Sequence, residues 1–449
     1  MRDRYDNMHA LVLGAGDSGE AAALLLLSRG CRVLLVDERE ASLQSDAANR
    51  VRAAGGEISS GANTLPQGTF DVCVTSPGFA LNHPWIVECK RRGIPLISEL
   101  ELGGCYWSGR VLAVTGSKGK SSLVKFCADT LNGVGVSASP AGNYGIPLCR
   151  LVLQNPEFAW AVVEVSSFQM EHTLTFSPDI AILLNLQADH LDRHADMAEY
   201  KTLKLKLFSV MRPGALALLP TGLADDGAIP EGVELRRFGT GIGNADWVYA
   251  EHAVTGVSDG AAFKIRLHDS WFDNDVLGLA AAAGVAALQR AGLDSARIEN
   301  GFAGFRPLSH RMQEIAVDKR GVRFVDDSKA TSLAATAAAL RMARHPVRLI
   351  AGGLLKEKDL DCIKELLTQT AKKVYLIGQC AEQMFQAWST SVCCEVCGTL
   401  GCAVASAVRE SQTGEIVLLS PGTASFDQFK SYRERGERFS ELVRAVADL

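Results

Sequence analysis

The chain has no apolar run near the roughly 20 residues that a membrane-crossing helix needs. The four leucines of Leu24–Leu27 read instead as the core of a helix. Its start, MRDRYDNMHALVLG, is charged, and its apolar run is too short for a secretory leader, so a cytoplasmic protein without a membrane partner is expected. There is no excess of positive charge. Lys plus Arg number 46 against 51 Asp plus Glu, for a net charge of −5, which gives no reason to expect a nucleic acid partner. A second CxxC is also missing. Cys393, Cys394, Cys397 and Cys402 contain only one, whereas a zinc knuckle needs four well-spaced ligands. The 12 cysteines are scattered through apolar or mixed segments and read as reduced thiols. Internal repeats and low-complexity tracts are absent. What remains is a chain of 449 residues, 47% of them apolar, too long for one core and sufficient for two or three.

The most informative stretch is Ala113-Val114-Thr115-Gly116-Ser117-Lys118-Gly119-Lys120-Ser121-Ser122. An apolar strand, Val111 to Val114, ends in two glycines, a lysine and a hydroxyl, and a helix from about Ser121 to Leu131 follows. Glycine lets the backbone turn so that several N–H groups face one anion. Lys120 can reach terminal phosphates, and the Ser121 hydroxyl can bind Mg2+. The pattern is the short form G-x-x-G-K-S, and it predicts a nucleoside-triphosphate site in mid-chain.

A second glycine loop lies near the start. Gly14-Ala15-Gly16-Asp17-Ser18-Gly19 follows the strand His9–Leu13 and precedes the helix Glu20–Ser28, and Asp37 ends the next strand. This G-x-G-x-x-G pattern suits NAD or another diphosphate such as UDP, and plain helix–sheet packing is the bland alternative. A further buried strand, Phe70–Thr75, ends in Ser76-Pro77-Gly78. Strands alternating with helices imply a parallel sheet that runs down near Tyr106–Gly109.

Beyond the mid-chain loop, Trp160–Val165 is a buried strand that carries Glu164 at its end. A carboxylate there is costly unless it is paired or bound to metal. Ile180–Leu186 is another buried strand, followed by Asp189-His190-Leu191-Asp192-Arg193-His194, which packs five ionisable groups into six positions. Tyr200–Met211 reads as a helix. The stretch from about Arg236 to Leu267 reads as a small antiparallel sheet, and Gly278–Ala291 as an Ala-rich helix. Arg306-Pro307 is the expected linker.

The last segment returns to strand–helix alternation, with strands at Val347–Ile350, Lys373–Ile377 and Glu415–Leu419. Thr331 is the expected cap of a helix Ser332–Met342, and the chain closes with an amphipathic helix, Ser431–Val446. Asp326-Asp327-Ser328-Lys329-Ala330-Thr331, Gly352-Gly353-Leu354-Leu355-Lys356 and Ser420-Pro421-Gly422-Thr423-Ala424-Ser425-Phe426 each follow a strand. Three strand ends bearing small, hydroxyl or cationic groups suit a small anionic substrate.

Taken in order, TGSKGKSS, the glutamate of EVSSFQ, AGNYGIP, DHLDRH, DDSKAT and GGLLK resemble the Mur ligases, ATP-dependent amide ligases of bacterial peptidoglycan synthesis. The resemblance covers nearly the whole length. It implies an α/β protein of three domains. Residues 1–108 would be a Rossmann-like UDP-binding domain, residues 109–307 a P-loop ATPase-like domain with a small antiparallel sheet, and residues 308–449 a second Rossmann-like domain that binds the amino acid. The C-terminal SPGTASFDQFKSYRERGERF most resembles members that add D-glutamate to UDP-MurNAc-L-Ala, and a monomer is expected.

The same resemblance implies roles for individual residues. Gly116, Ser117, Lys118, Gly119, Lys120, Ser121, Ser122, Asn274, Arg311 and Asp326 would hold ATP. Ser121, Glu164, His190 and Lys204 would hold one or two Mg2+ ions, Lys204 as a carbamylated lysine in the matching Tyr200-x-x-x-Lys204. Lys120, Glu164, His190 and Lys204 form the catalytic set. Gly14, Ala15, Gly16, Asp17, Asp37, Gly78 and Asn143 would border the UDP substrate. Lys329, Thr331, Lys356, Ser425 and Phe426 would surround D-glutamate. Without the resemblance, Lys204 reads as a surface helix lysine. Lys118 stands where these ligases commonly have Asn, Leu277 where they have a second asparagine contacting adenine, and Tyr432 where they often have Phe. Another Mur step, a folylpolyglutamate synthetase-like ligase and an NAD(P)-dependent oxidoreductase are the alternatives.

Overall fold

In a computed structural model the described residues are 5–60, 64–154, 157–188, 193–241, 245–258, 260–267, 270–357 and 359–447. They form three sheets flanked by helices. The first contains β1 (His9–Leu13), β2 (Arg32–Asp37), β3 (Glu57–Ser60), β4 (Val72–Thr75) and β5 (Leu96–Ser98), all parallel in the order β3-β2-β1-β4-β5. β1 and β4 are fully apolar or nearly so, as strands covered on both faces must be. Chain order reverses between β1 and β4, and the crevice beyond such strand ends is where open α/β sheets bind ligands.

The second sheet contains β6 (Arg110–Thr115), β7 (Ala138–Gly142), β8 (Trp160–Glu164), β9 (Ile180–Leu183), β10 (Leu216–Pro220), β11 (Glu234–Thr240), β12 (Trp247–Ala250), β13 (Ala253–Ser258) and β14 (Ala261–Arg266). Its order is β14-β13-β12-β11-β10-β9-β6-β8-β7. The antiparallel strands expected near residues 236–267 are present, but they are hydrogen-bonded onto this sheet as its edge. Pairing is parallel as far as β12, and only β12-β13-β14 alternate in direction. Behind β6, the helix Lys120–Gly133 packs Phe126 against Phe302, with ring centres 4.3 Å apart, and against Phe272. Each such fully buried side chain contributes about 1.5–3 kcal/mol, which fixes the helix whose first turn meets the nucleotide loop.

The first two sheets share one compact unit, residues Met1–Asp273 with Leu277–Phe305. Buried carboxylates join them. Glu101 accepts the N–H groups of Leu174, Thr175 and Phe176 at 2.7–3.0 Å, Glu20 pairs with Arg50 and Arg150, and Glu99 accepts the Cys149 N–H at 2.6 Å. Burial pushes the Glu99 carboxyl up to about 7.

The second unit, Asn274–Val276 with Arg306–Leu449, holds the third sheet. Its strands are β15 (Gln313–Val317), β16 (Arg323–Asp326), β17 (Val347–Gly352), β18 (Ala371–Ile377), β19 (Cys394–Gly398) and β20 (Ile416–Leu419). The order is β15-β16-β20-β17-β18-β19, antiparallel only at β15. Two buried clusters, one containing Leu349 and Leu376 and the other Val417 and Phe439, cover its faces. One expectation fails here. The cap of the helix Leu333–Met342 is Ser332, which accepts the Ala335 N–H, and not Thr331. Ser332 takes the extended backbone conformation that a cap requires, so the helix begins one residue later. Among the described residues no helix is long and apolar enough to cross a membrane.

Candidate functional site

The nucleotide loop leaves the carboxyl end of β6. Gly116 and Gly119 have φ of 140° and 85°, values that L side chains rarely adopt. Gly119 caps the helix Lys120–Gly133 with no side-chain hydrogen bond, so the positive end of the helix is left for an anion. Lys120 Nζ lies back over the loop and donates to the carbonyls of Gly116 at 2.8 Å and Ser117 at 3.0 Å. Asn185 holds the loop's shape: its Oδ1 accepts the N–H groups of Ser117 and Lys118, and its Nδ2 donates to Lys118 O. Asn185 has no role in the sequence reading. The available signal is its place as the first polar residue beyond β9, the strand beside β6.

Glu164 stands next to this loop because β6 and β8 pair with Val114 opposite Glu164. It is 3% exposed. Its Oε1 accepts from Asn143 Nδ2 at 2.8 Å, and its Oε2 is buried with no hydrogen-bond partner. A buried carboxylate oxygen left unpaired costs several kcal/mol, and a divalent cation is a group that would compensate it. This fits Mg2+ and places Asn143, expected at the UDP substrate, beside the metal-side glutamate. His190 lies outside the described residues. Among the described residues no group of three or more His, Cys, Asp or Glu side chains could hold a metal, the Cys393–Cys402 cluster included.

Lys204 is 1% exposed, so the surface-lysine reading fails. It lies on the helix Met197–Ser209, with Nζ 2.9 Å from Gly116 O and 4.4 Å from the Tyr200 ring centre. Burying a lysine so deeply, under the nucleotide loop, is expensive unless the site uses it. Its neighbours turn elsewhere, Lys201 to Asp226 and Lys206 to the Met170 carbonyl. Tyr200 reaches Ser117 Oγ at 3.3 Å, and His194 bonds Ser167 at 2.9 Å.

At the first glycine loop, Gly14 has φ of 95°, and a Cβ on Gly19 would sit 1.8 Å from Gly14 O. Both glycines are therefore required by packing. Asp37 Oδ2 accepts the Ala15 N–H at 2.8 Å, and Oδ1 accepts from Arg39 N and Ser42 Oγ. Burial opposes the Asp37 charge, but the Ala15 and Arg39 amides outweigh it and hold the carboxyl below its usual range. Gly16, Asp17 and Gly78 are exposed at this edge. Arg193, at the end of DHLDRH, crosses from the second sheet to this loop cluster. It donates to Pro77 O at 2.7 Å and Phe79 O at 2.8 Å, pairs with Glu171, and lies 4.1 Å from the Phe168 ring centre.

In the second unit, β16, β20 and β17 are neighbours, so their end loops meet. Gly422 N donates to Ala330 O, and Leu354 and Ala424 exchange both backbone hydrogen bonds. Arg435, 1% exposed, ties two of the loops by donating to Ser328 Oγ and O and to Thr423 O. Ser425 is buried there, whereas Lys329 and Lys356 are exposed and Phe426 is 67% exposed. Asp326 bonds His310 at 2.7 Å. Burial pushes the Asp327 carboxyl up to about 7 although Ser420 and Met312 N donate to it. His310 and Met312 have φ of 62° and 43°, a strained turn around Arg311, whose Nε is buried without a partner. An unpaired guanidinium nitrogen suits an anion. Asn274 Oδ1 accepts the Val276 N–H in the same unit. His310 and Arg435 are absent from the sequence reading.

A glycine-rich nucleotide loop with a metal-seeking glutamate, set in a three-sheet α/β protein, defines a nucleotide-dependent enzyme. Comparison narrows the class. Residues 8–98 match the Mur ligase MurD-like N-terminal domain, 114–276 the Mur ligase middle domain, and 310–422 the Mur ligase glutamate ligase domain. Proteins named UDP-N-acetylmuramoylalanine--D-glutamate ligase are 34% identical in Acidobacterium capsulatum, covering 97% of this chain and 96% of that protein. Those from Nitratidesulfovibrio vulgaris and Frankia casuarinae are 35% and 36% identical, each over 98% of this chain and 96% and 95% of theirs. The fold matches a solved UDP-N-acetylmuramate-alanine ligase from Thermotoga maritima, with a TM-score of 0.61 and 16% identity over 98% of this chain and 99% of that one. A MurF ligase of the same organism gives 0.60 and 16% over 93% and 96%. The chain belongs to the Mur ligase family, ATP-dependent ligases that form ADP and phosphate. Membership leaves the oxidoreductase reading without support.

Proposed function

We propose that this chain joins D-glutamate to UDP-N-acetylmuramoyl-L-alanine in peptidoglycan precursor synthesis, at the expense of ATP. The observation that carries the reading is Glu164 Oε2, buried and unpartnered, on the strand beside the one that leads into the glycine loop, in a chain alike from end to end to D-glutamate ligases.

The substrate carboxylate attacks the γ-phosphorus of ATP, giving an acyl phosphate and ADP. The amine of D-glutamate then attacks the acyl carbon, and phosphate leaves. A carboxylate approaching a polyphosphate is repelled, so the site must supply positive charge and orientation. Lys120 leaves its loop carbonyls for the phosphates. The amides of the first turn of Lys120–Gly133 take the oxygens of the same groups. Ser121, Glu164 and His190 would hold Mg2+, which when bound neutralises developing phosphate charge.

Lys204 in its amine form donates to Gly116 O. Reaction of the neutral amine with carbon dioxide releases one proton and gives a carbamate, an anionic oxygen donor where the bare lysine has none. Carbamylation of Lys204 in the working enzyme is part of the proposal. Gly14, Ala15, Gly16, Asp17 and Gly78 border the UDP substrate, with Asp37 bracing their loop. Asn274, Arg311 and Asp326 serve the nucleotide. Lys329, Thr331, Lys356, Ser425 and Phe426 serve the amino acid.

A phosphate-release assay with UDP-MurNAc-L-Ala crossed with D-glutamate, L-glutamate, L-alanine and diaminopimelate tests this. Release with D-glutamate above the others is expected. Preference for another amino acid moves the chain to a different ligation step, and no release with any of them removes the ligase reading.

A further inference from the structure

The strand ends opposite the nucleotide loop border a cavity of about 1420 Å3 that is open to solvent on one side. β6, β8, β9 and β10 all begin there, and the five-residue path from Arg110 to Thr115 puts it about 17 Å from the glycine loop. Its walls come from both sheets of the first unit. Trp107, Ser108 and Gly109 link the first sheet to β6, and residues 174–178 form the segment held by Glu101. It lies apart from every residue given a role above.

The lining is asymmetric in charge. Arg110, Arg212 and Arg290 face it, against one carboxylate, Asp179, which already accepts the Val111 N–H at 2.7 Å. Among the described residues no carboxylate pairs with any of the three guanidiniums. Arg110 lies over the Trp160 ring at 5.5 Å, and Arg290 donates to the Gly214 carbonyl. Ser177 Oγ is buried with no hydrogen-bond partner. Three exposed guanidiniums without a carboxylate partner, beside an unsatisfied hydroxyl, suit an anion. Trp160 and Phe176 are buried in the wall, and the half-buried Trp107 is the aromatic side chain left to meet a ring. The space exceeds what one phosphate fills and has room for a nucleotide-sized ligand.

We infer that this cavity is a second ligand site, for a phosphate-bearing anion with a planar ring, at the joint between the first two sheets. An occupant touches the linker and the loop held by Glu101 together, so it can bias how the UDP-side sheet sits on the nucleotide-side sheet. This proposal is independent of which reaction the enzyme performs.

The test is calorimetric titration of the full-length Lys120→Ala protein, in which the nucleotide loop is disabled, held saturated with UDP-MurNAc-L-Ala so that the first glycine loop is filled, with UMP, uridine and inorganic pyrophosphate. UMP is expected to bind more tightly than about 1 mM, and uridine and pyrophosphate each at least about tenfold more weakly. Arg110→Gln/Arg212→Gln in the same background should weaken UMP about tenfold, about 1.4 kcal/mol. In the otherwise unaltered chain the double substitution should leave phosphate release without added UMP unchanged. UMP binding unaffected by the arginine substitutions, or absent at about 1 mM, overturns the site. Equal binding of uridine and UMP overturns its anionic character, and equal binding of pyrophosphate and UMP overturns the ring.

Discussion

Two glycine loops leave parallel strands of two sheets in the same unit, and they differ in the charge placed behind them. Behind Gly14–Gly19 stands a carboxylate, Asp37, which consumes a loop amide. Behind Gly116–Lys120 stands a neutral amide, Asn185, and two lysines, Lys120 and Lys204, bond the loop's own carbonyls. A fixed negative charge against the backbone opposes a triphosphate, whereas lysines and an uncapped helix end attract one. The difference agrees with the proposed placing of the UDP substrate at the first loop and of ATP at the second. Glycine spacing alone does not separate them; the residue that the next strand places behind the loop does.

The contrast can be broken most severely at the second loop. Lys120→Ala should lower ATP-dependent phosphate release at least ~100-fold, the scale of one lost electrostatic contact in a transition state, with little change in melting temperature. Near-normal turnover would reassign the loop. Lys204→Ala should be largely inactive and partly restored by added short carboxylates, in the same assay. Full activity without addition would remove the carbamate.

Smaller effects sharpen the first loop. Arg193→Lys keeps the charge but loses the fork that holds Pro77 O and Phe79 O together, and should raise KM for the UDP substrate about tenfold with KM for ATP unchanged. Asp37→Asn should raise the same KM severalfold, as loss of charge on hydrogen bonds worth about 1.5–3 kcal/mol each allows. A change in ATP affinity instead would reverse the assignment of the two loops. The smallest effect concerns the joint between the sheets. Glu99 is raised in the folded state to about 7 against about 4.3 unfolded. Its ionisation therefore costs stability above pH 7, and the cost fades as pH falls toward 4. Glu99→Gln should flatten the fall in melting temperature between pH 5.5 and pH 8, measured by calorimetry; an unchanged slope would locate the titration elsewhere.

Much of this was legible from residue order. Buried runs such as His9–Leu13 and Val111–Val114 mark parallel strands by their lack of alternation, and the glycine punctuation marks their carboxyl ends. Glu164 stood out because a carboxylate ending an apolar strand needs a partner. What was not legible depends on sheet order. Asn185 matters because β9 lies beside β6, and Arg435 matters because β16 and β20 are neighbours. Lys204 is informative only once its helix is seen to turn it under the loop, since its sequence neighbours Lys201 and Lys206 suggest a solvated face. Thr331 and Ser332 are both cap residues in sequence, and the structure uses the second, whose extended backbone lets its hydroxyl accept the Ala335 N–H.

The most direct measurement uses UDP-MurNAc-L-Ala labelled with oxygen-18 in its carboxylate, incubated with ATP and D-glutamate. If the acid is energised by phosphoryl transfer at residues 116–121, one labelled oxygen must appear in the released phosphate, and the Lys120→Ala protein must form labelled phosphate at least ~100-fold more slowly. Amide product formed with all the label left in carbon-bound oxygen or solvent would contradict it.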